Sequence, residues 1–202
     1  YTSTIDVFAA RHGAEYDESV IDPHPKGTAY ERSKQEADRI VVDLLGRGLP
    51  AVFLHPAGLY GPGPESSPGT NQLIIDLNRG KIPMLLPGGL PLVYSEDCAH
   101  GHILAEEKAR AGDRFILSES YISLLDLAAL LVSALGLKKT PPVMPYALGR
   151  TISVLGEAAA KVLRRPPLIP AGQLHFLQWQ ARPSSARARR ELGWNPVPLR
   201  EG

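Results

Sequence analysis

Tyr30 and Lys34 are the two side chains in this sequence best suited by type and spacing to moving a proton. They lie four residues apart in Tyr30-Glu31-Arg32-Ser33-Lys34, which on a helix puts a phenol and an ammonium group on one face. A phenol with its ordinary pKa of about 10 is a poor base at neutral pH, but a nearby cation favours the phenolate. The spacing therefore predicts an acid/base group that exchanges a proton with an alcohol oxygen.

Spacing alone leaves a structural alternative open, in which Tyr30 packs against a sheet and Lys34 is solvated. The neighbouring sequence favours chemistry. Ser3 and Thr4 end a predicted buried strand, and a Pro/Gly loop, residues 56–63, follows another strand. Ligands of open parallel sheets bind beyond the carboxyl ends of the strands. We therefore expect the hydroxyl, the phenol, the ammonium group and the loop to meet in one crevice.

The elements that must position these groups alternate between strand and helix patterns, which indicates an α/β fold. The helix that carries the pair is predicted at 28–45, with Ile40, Val41, Leu44 and Leu45 as its apolar stripe. Residues 56–69, rich in proline and glycine, are predicted to be a loop. The other predicted helices lie at 70–78, 99–109, 123–135, 146–163 and 184–193. The predicted strands lie at 1–4, 50–54, 92–94 and 114–117.

Composition excludes several function classes. The formal net charge of +1 over 202 residues provides no global attraction for nucleic acid, so no nucleic-acid partner is expected. The one cysteine, Cys98, cannot form an internal disulfide and has no metal-ligand spacing around it. We predict a cytoplasmic location and no metal site.

The apolar helix near 147–163 has three interpretations: a lid over an apolar substrate, a helix in peripheral contact with a membrane surface, or core.

Five segments, in their order and spacing, resemble the extended short-chain dehydrogenase/reductase superfamily, the NAD-dependent epimerase/dehydratase family, from its fifth strand onward. Their similarity is greatest to the dihydroflavonol reductase-like and 3β-hydroxysteroid dehydrogenase-like branch. The segments are Tyr1 to Thr4, Tyr30 to Lys34, Pro56 to Gly63, Leu92 to Ala99 and Ala188 to Trp194.

The resemblance implies the architecture. Residues 1–136 would form the C-terminal half of a Rossmann-type doubly wound parallel sheet, the second half of an NAD(P)-binding domain with some substrate-side loops. Residues 137–202 would form a small, mostly helical substrate-binding portion. The family's first strand and its glycine-rich phosphate loop have no counterpart in the sequence, so we expect it to be part of a longer chain.

The resemblance also implies roles for individual residues. Tyr30 would exchange the proton of the substrate oxygen, Lys34 would lower the pKa of Tyr30 and bind the nicotinamide ribose, and Thr4 would hydrogen-bond the substrate carbonyl. The cofactor, NAD or NADP, would also meet Pro56 and Ala57. Residues implied on the substrate side are Ser3, Tyr60 and Gly61.

The implied reaction is the reversible oxidation of a secondary alcohol, on a small-molecule substrate for which an apolar character is one interpretation. Thr4-Ile5-Asp6 stands where sugar-nucleotide dehydratases carry Thr-Asp-Glu, which argues against dehydration. Two alternatives stay open: an NAD-dependent epimerase of a sugar or sugar nucleotide, and a non-catalytic nucleotide-binding relative. A homodimer is a further expectation, because relatives often dimerise through the helix that carries the Tyr/Lys pair.

Two further residues carry weaker predictions. His55 is interpreted either as a strand-end residue with its hydrogen bonds satisfied inside the protein or as a ligand contact. Asp97 resembles an aspartate that follows a strand in the family, but its position ahead of residues 99–109 predicts a helix N-cap.

Overall fold

The computed structural model describes residues 1–63, 69–163 and 171–202. It confirms the α/β fold class. The strands are Glu15–Tyr16 (β1), Phe53–Pro56 (β2), Gly58–Tyr60 (β3), Gly89–Tyr94 (β4), Arg114–Leu117 (β5), Ser120–Ser123 (β6) and Arg182–Pro183 (β7). The α-helices are Ala29–Gly46 (α1), Thr70–Asn78 (α2), Ser95–Lys108 (α3), Leu124–Leu135 (α4), Tyr146–Leu163 (α5) and Ala171–Trp179 (α6).

Strand β2 is central to the sheet that supports the predicted site. It pairs in parallel with β5, from Phe53 opposite Arg114 to Pro56 opposite Leu117. On its other side the opening segment runs parallel to it, with the Ser3 amide donating to the Leu54 carbonyl at 2.7 Å. All four residues of β2 are buried, as expected of a parallel strand covered on both faces.

Helix α1 begins where the sequence predicts it, because Thr28 and Glu31 form a capping box. The predicted apolar stripe is wrong for Ile40 and Leu44, which are exposed, whereas Val41 and Leu45 are partly buried. The buried residues of α1 are Glu31, Gln35 and Asp38. They are polar because this side of α1 meets backbone carbonyl groups of the loop before it and the guanidinium group of Arg114.

Two other sequence predictions require correction. The predicted loop 56–69 contains β3, which pairs in parallel with β4, and its residues 64–68 lie outside the described residues. Asp97 is not an N-cap, since α3 already begins at Ser95 after Tyr94. Instead, the Asp97 carboxylate accepts a hydrogen bond from the Val197 amide at 2.9 Å. Asp97 therefore ties the end of the chain to the first turn of α3.

The residues fall into two compact units. The first comprises Tyr1–Asn71, Pro91–Tyr121 and Ala181–Gly202, and the second comprises Gln72–Leu90 and Ile122–Gln180. Each has its own apolar clusters, and all predicted catalytic and cofactor-binding residues lie in the first unit. The functional boundary at residue 136 stays a prediction.

Helix α5 in the second unit is only partly covered. Leu148, Val154 and Leu155 are exposed, whereas Ser153 is buried, so the helix is not a core helix on all sides. Among the helices that the structure describes, none has the length and apolar character needed to cross a membrane.

Candidate active site

Thr4 lies where the opening segment leaves the edge of β2. Its backbone is extended, with φ −149° and ψ 156°, and it caps a short 3₁₀ helix at Ile5–Val7. The Thr4 hydroxyl donates to the Asp6 carboxylate at 2.8 Å and accepts from the Asp6 amide at 3.4 Å. This turn ends the strand and fixes the Thr4 side chain at the carboxyl edge of the sheet.

The structure brings the three predicted catalytic residues together. Thr4 lies close enough to Tyr30 to lower the pKa of its phenol, and the Lys34 ammonium nitrogen lies 5.9 Å from the centre of the Tyr30 ring. Thr4 is buried, whereas half of Tyr30 is exposed. The phenol can therefore meet a ligand from solvent.

The electrostatic surroundings of Tyr30 favour the neutral phenol. Partial burial raises the pKa of Tyr30 above its ordinary value and the Asp6 carboxylate raises it further, while the nearby Thr4 hydroxyl lowers it. A lowering of this pKa by Lys34 stays a prediction. In this arrangement Tyr30 is set up as a proton donor at neutral pH.

Asp6 is a part of the site that the sequence did not reveal. The Thr4 hydroxyl carries one proton and has two neighbours, the Asp6 carboxylate and the Tyr30 phenol. While Thr4 donates to Asp6, it has no second proton to donate to the Tyr30 phenol. Asp6 therefore competes with the Tyr30 phenol for the one proton of the Thr4 hydroxyl.

Pro56 and Ala57 lie beside this cluster because β2 runs parallel to the opening segment. His55, the residue before Pro56, bonds the Thr4 carbonyl at 3.1 Å, and the Ala57 amide donates to the Leu117 carbonyl at 3.0 Å. The end of β2 is thus held rigidly next to Thr4. The cofactor-binding roles of Pro56 and Ala57 stay predictions.

The residues predicted on the substrate side have packing roles in the described structure. The Ser3 side chain is buried. The Tyr60 hydroxyl donates to the Leu199 carbonyl at 3.3 Å, and burial raises the pKa of Tyr60 to about 12. Gly61 has a φ of 136°, and a side chain there would collide with Ser95, which explains the glycine. Contact of these residues with a substrate stays a prediction.

Comparison with known proteins identifies the family. Residues 1–117 match the NAD dependent epimerase/dehydratase family. The chain belongs to this family. The matched range contains Thr4, Tyr30, Lys34, Pro56 and Ala57, so the cluster described above lies within the part of the chain that defines the family.

Individual relatives of this epimerase/dehydratase chain are distant. It is 26% identical over 190 residues to sterol demethylase protein B of Methylococcus capsulatus, covering 93% of this chain and 58% of that protein. It is 28% identical over 199 residues to a Synechocystis protein provisionally named dihydroflavonol 4-reductase, covering 96% and 58%. The crystal structure of gox2253 matches with a TM-score of 0.81 and 27% identity, covering 100% of this chain and 62% of that one. The chain thus spans about three fifths of the length of these proteins.

The cluster has donors that fit one end of the cofactor of an NAD dependent family. A half-exposed phenol and a partly exposed ammonium group stand at the carboxyl edge of a parallel sheet, where such ligands bind. Tyr30 and Lys34 present hydroxyl and ammonium donors suited to the ribose hydroxyls. The site residues therefore fit the nicotinamide ribose, and no residue of this cluster is assigned to binding the pyrophosphate of the cofactor.

Proposed function

We propose that this chain carries the proton-transfer half of an NAD- or NADP-dependent oxidoreductase that interconverts a secondary alcohol and a ketone. The observation that supports the proposal most directly is the grouping of Thr4, Tyr30 and Lys34 at one sheet edge, with Tyr30 half exposed. Membership of the NAD dependent epimerase/dehydratase family supports the cofactor class.

In the proposed mechanism each residue has one task. Thr4 donates a hydrogen bond to the substrate oxygen instead of to Asp6, and Tyr30 transfers its phenolic proton to that oxygen as the ketone is reduced. Lys34 stabilises the resulting phenolate and would hold the nicotinamide ribose, with the backbone at Pro56 and Ala57 beside it. The hydride chemistry is supplied by the nicotinamide when it is bound.

The direct test is Tyr30→Phe in the full-length protein. This change removes the transferable proton and keeps the ring, so turnover on a panel of ketones should be lost while cofactor affinity, measured by calorimetry, changes little. Tyr121→Phe is the matched control, a tyrosine of the same unit that instead packs against Arg182. Turnover that survives in Tyr30→Phe would contradict the proposed mechanism.

The family description also covers epimerases, so a second function is an epimerase that oxidises and re-reduces its substrate. An epimerase gives product with no net change in cofactor absorbance, whereas the proposed oxidoreductase changes it in step with product. Cofactor binding with no turnover would instead indicate a non-catalytic relative.

We further propose an apolar, polycyclic substrate. The second unit contains a groove of about 410 Å³ between α5 and α6, a volume within the range of ligand sites. Its walls include Val154, Leu174 and Trp179, and the Ser153 hydroxyl in it is buried without a hydrogen-bond partner among the described residues. The relatives named for sterol and dihydroflavonol chemistry support the same class.

Trp179 in the wall of this groove provides a fluorescence signal for ligand binding. Titration with a sterol ketone or a dihydroflavonol should quench Trp179 fluorescence, and Trp179→Phe should abolish the saturable part of the change. The other tryptophan, Trp194, lies buried in the first unit and is the internal control. A response that persists in Trp179→Phe would remove the groove as the binding site.

The expected partners and location stay proposals as well. Helix α1 exposes Ile40, Val42 and Leu44, which suits a homodimer through this helix. Sedimentation of Ile40→Asp beside the parent protein would test the dimer.

The exposed apolar side chains of α5 suit a peripheral contact with a membrane as an alternative. Flotation of the protein with liposomes would test this contact. A cytoplasmic location, proposed from the single cysteine, is testable by fractionation.

A further inference from the structure

His55 lies in the middle of β2 with no exposed surface, and both of its ring nitrogens have a partner. Nδ1 lies 3.1 Å from the Thr4 carbonyl oxygen, and Nε2 lies 3.2 Å from Nη1 of Arg114. A carbonyl only accepts and a guanidinium only donates. The two partners together therefore require a neutral ring with the proton on Nδ1. A direct contact between His55 and a ligand is excluded by its burial.

The same network reaches the helix of the predicted pair. Nη1 of Arg114 lies 2.8 Å from the Asp38 carboxylate on α1, and their side chains are only 15% and 3% exposed. The guanidinium group also stacks 4.0 Å over the Phe53 ring. These contacts leave Arg114 little freedom, so its donor to His55 has a fixed direction.

We infer that His55 is a positioning residue for the proposed reaction: its Nδ1 proton holds the Thr4 backbone, while Arg114, which is paired with Asp38 of α1, keeps the ring neutral with the proton on Nδ1. The inference rests on the proposed function, because it assigns His55 a task only if Thr4 and Tyr30 act together. Thr4 has no other side-chain donor on its carbonyl in the described residues.

Chemistry distinguishes this role from simple core packing. An apolar residue would fill the space between Phe8 and the sheet, since the Phe8 and His55 rings pack 4.5 Å apart, but it would remove the side-chain donor of the Thr4 carbonyl and one acceptor of Arg114. A shift of about 1 Å in a group that orients a substrate can cost about 100-fold in rate. The hydrogen bond to Thr4 therefore matters for turnover more than the bond to Arg114.

Two substitutions in the full-length protein test the hydrogen bonds of Nδ1 and Nε2 separately. The amide nitrogen of His55→Asn falls near Nδ1 and can still donate to the Thr4 carbonyl. The amide oxygen of His55→Gln falls near Nε2 and can still accept from Arg114. We expect kcat to fall about 100-fold in His55→Gln and tenfold or less in His55→Asn. Cofactor affinity and the folded fraction, from calorimetry and circular dichroism, should be alike in the two variants.

Equal kcat values in the two variants would overturn the inference, whereas Tyr30→Phe, run beside them, tests the proposed function separately. An inactive Tyr30→Phe with equal His55 variants removes only the positioning role, and an active Tyr30→Phe removes both claims. A measurement on the parent protein does not depend on the variants folding. Nitrogen-15 NMR of labelled histidine should find His55 neutral with the proton on Nδ1, and a proton on Nε2 would overturn the inference equally.

Discussion

Lowering the pH from 7 to 5 should weaken the first unit, because a buried neutral histidine resists protonation. Burial lowers the pKa of His55 to about 3, and the charge of Arg114 adds to the effect against the hydrogen bond to Thr4. In the unfolded chain the ring has its ordinary pKa of about 6.5. Below that value the unfolded state binds a proton that the folded state does not bind until about pH 3. The stability that neutral His55 provides is thus present above about pH 6.5 and is lost as the pH falls.

The size of the effect follows from the two pKa values. Each pH unit between them changes the free energy of unfolding by about 1.4 kcal/mol for one group, so at pH 5 the loss is about 2 kcal/mol. Ordinary domains are stable by only about 5–15 kcal/mol, so the change is measurable. Hydrogen bonds from Arg190 and Arg187 lower the pKa of Glu191, so this carboxylate titrates below the window. Burial raises the pKa of Glu18, which acts in the opposite direction.

The assay is urea unfolding at pH 7 and pH 5, followed by fluorescence in a Trp179→Phe background. Trp194, which is 1% exposed, then reports on the first unit alone. His55→Asn removes the titrating ring, so it should be less stable at pH 7 and lose about 2 kcal/mol less than its parent on going to pH 5. Parallel losses in the two proteins would refute the reasoning and show that His55 is protonated in the folded state.

Two further predictions concern charge and packing. Asp6→Asn removes an anion that raises the pKa of Tyr30, so the pKa of Tyr30 should fall. NMR of tyrosine labelled at Cζ measures this pKa, and an unchanged or higher value would exclude Asp6 as a neighbour of Tyr30 in solution. Gly101→Ala would put a methyl group 2.8 Å from a Leu117 methyl carbon and should cost about 1–3 kcal/mol of stability. Gly46→Ala, where nothing lies within 4 Å, is its control in thermal unfolding and should be neutral or slightly stabilising.

The grouping of Thr4, Tyr30 and Lys34 could be predicted because it depends on local rules. Helical spacing puts the pair on one face, and the order of strand, helix and strand puts Thr4 near it. Asp6 escaped prediction because its role depends on the turn after Thr4, which ends the strand two residues before a carboxylate. That turn is decided by tertiary packing, since nothing in Ile5-Asp6-Val7 forbids an extended strand.

The network of His55, Arg114 and Asp38 was beyond the sequence for a different reason. It depends on the register between β2 and β5 and on which side of α1 meets β5, and a local pattern specifies neither. The exposure of Ile40 and Leu44, which belong to the predicted apolar stripe of α1, has the same origin. A prediction from hydrophobic periodicity assumes that the buried side of a helix is apolar. Helix α1 instead buries polar side chains that bind backbone carbonyls and a guanidinium group.

The division of the first unit along the chain has a consequence for how it is made. Its main apolar cluster joins Phe8 and Phe115 with Leu192 and Trp194, and β1 at Glu15–Tyr16 pairs with β7 near the other end of the chain. Contacts between residues so far apart in sequence form slowly, because the intervening chain must first be closed into a loop. During synthesis, β2 and α1 lack part of their apolar core until residues Ala181–Gly202 have left the ribosome. Both segments of the second unit precede Ala181, so nascent chains should expose apolar surface longest in the first unit.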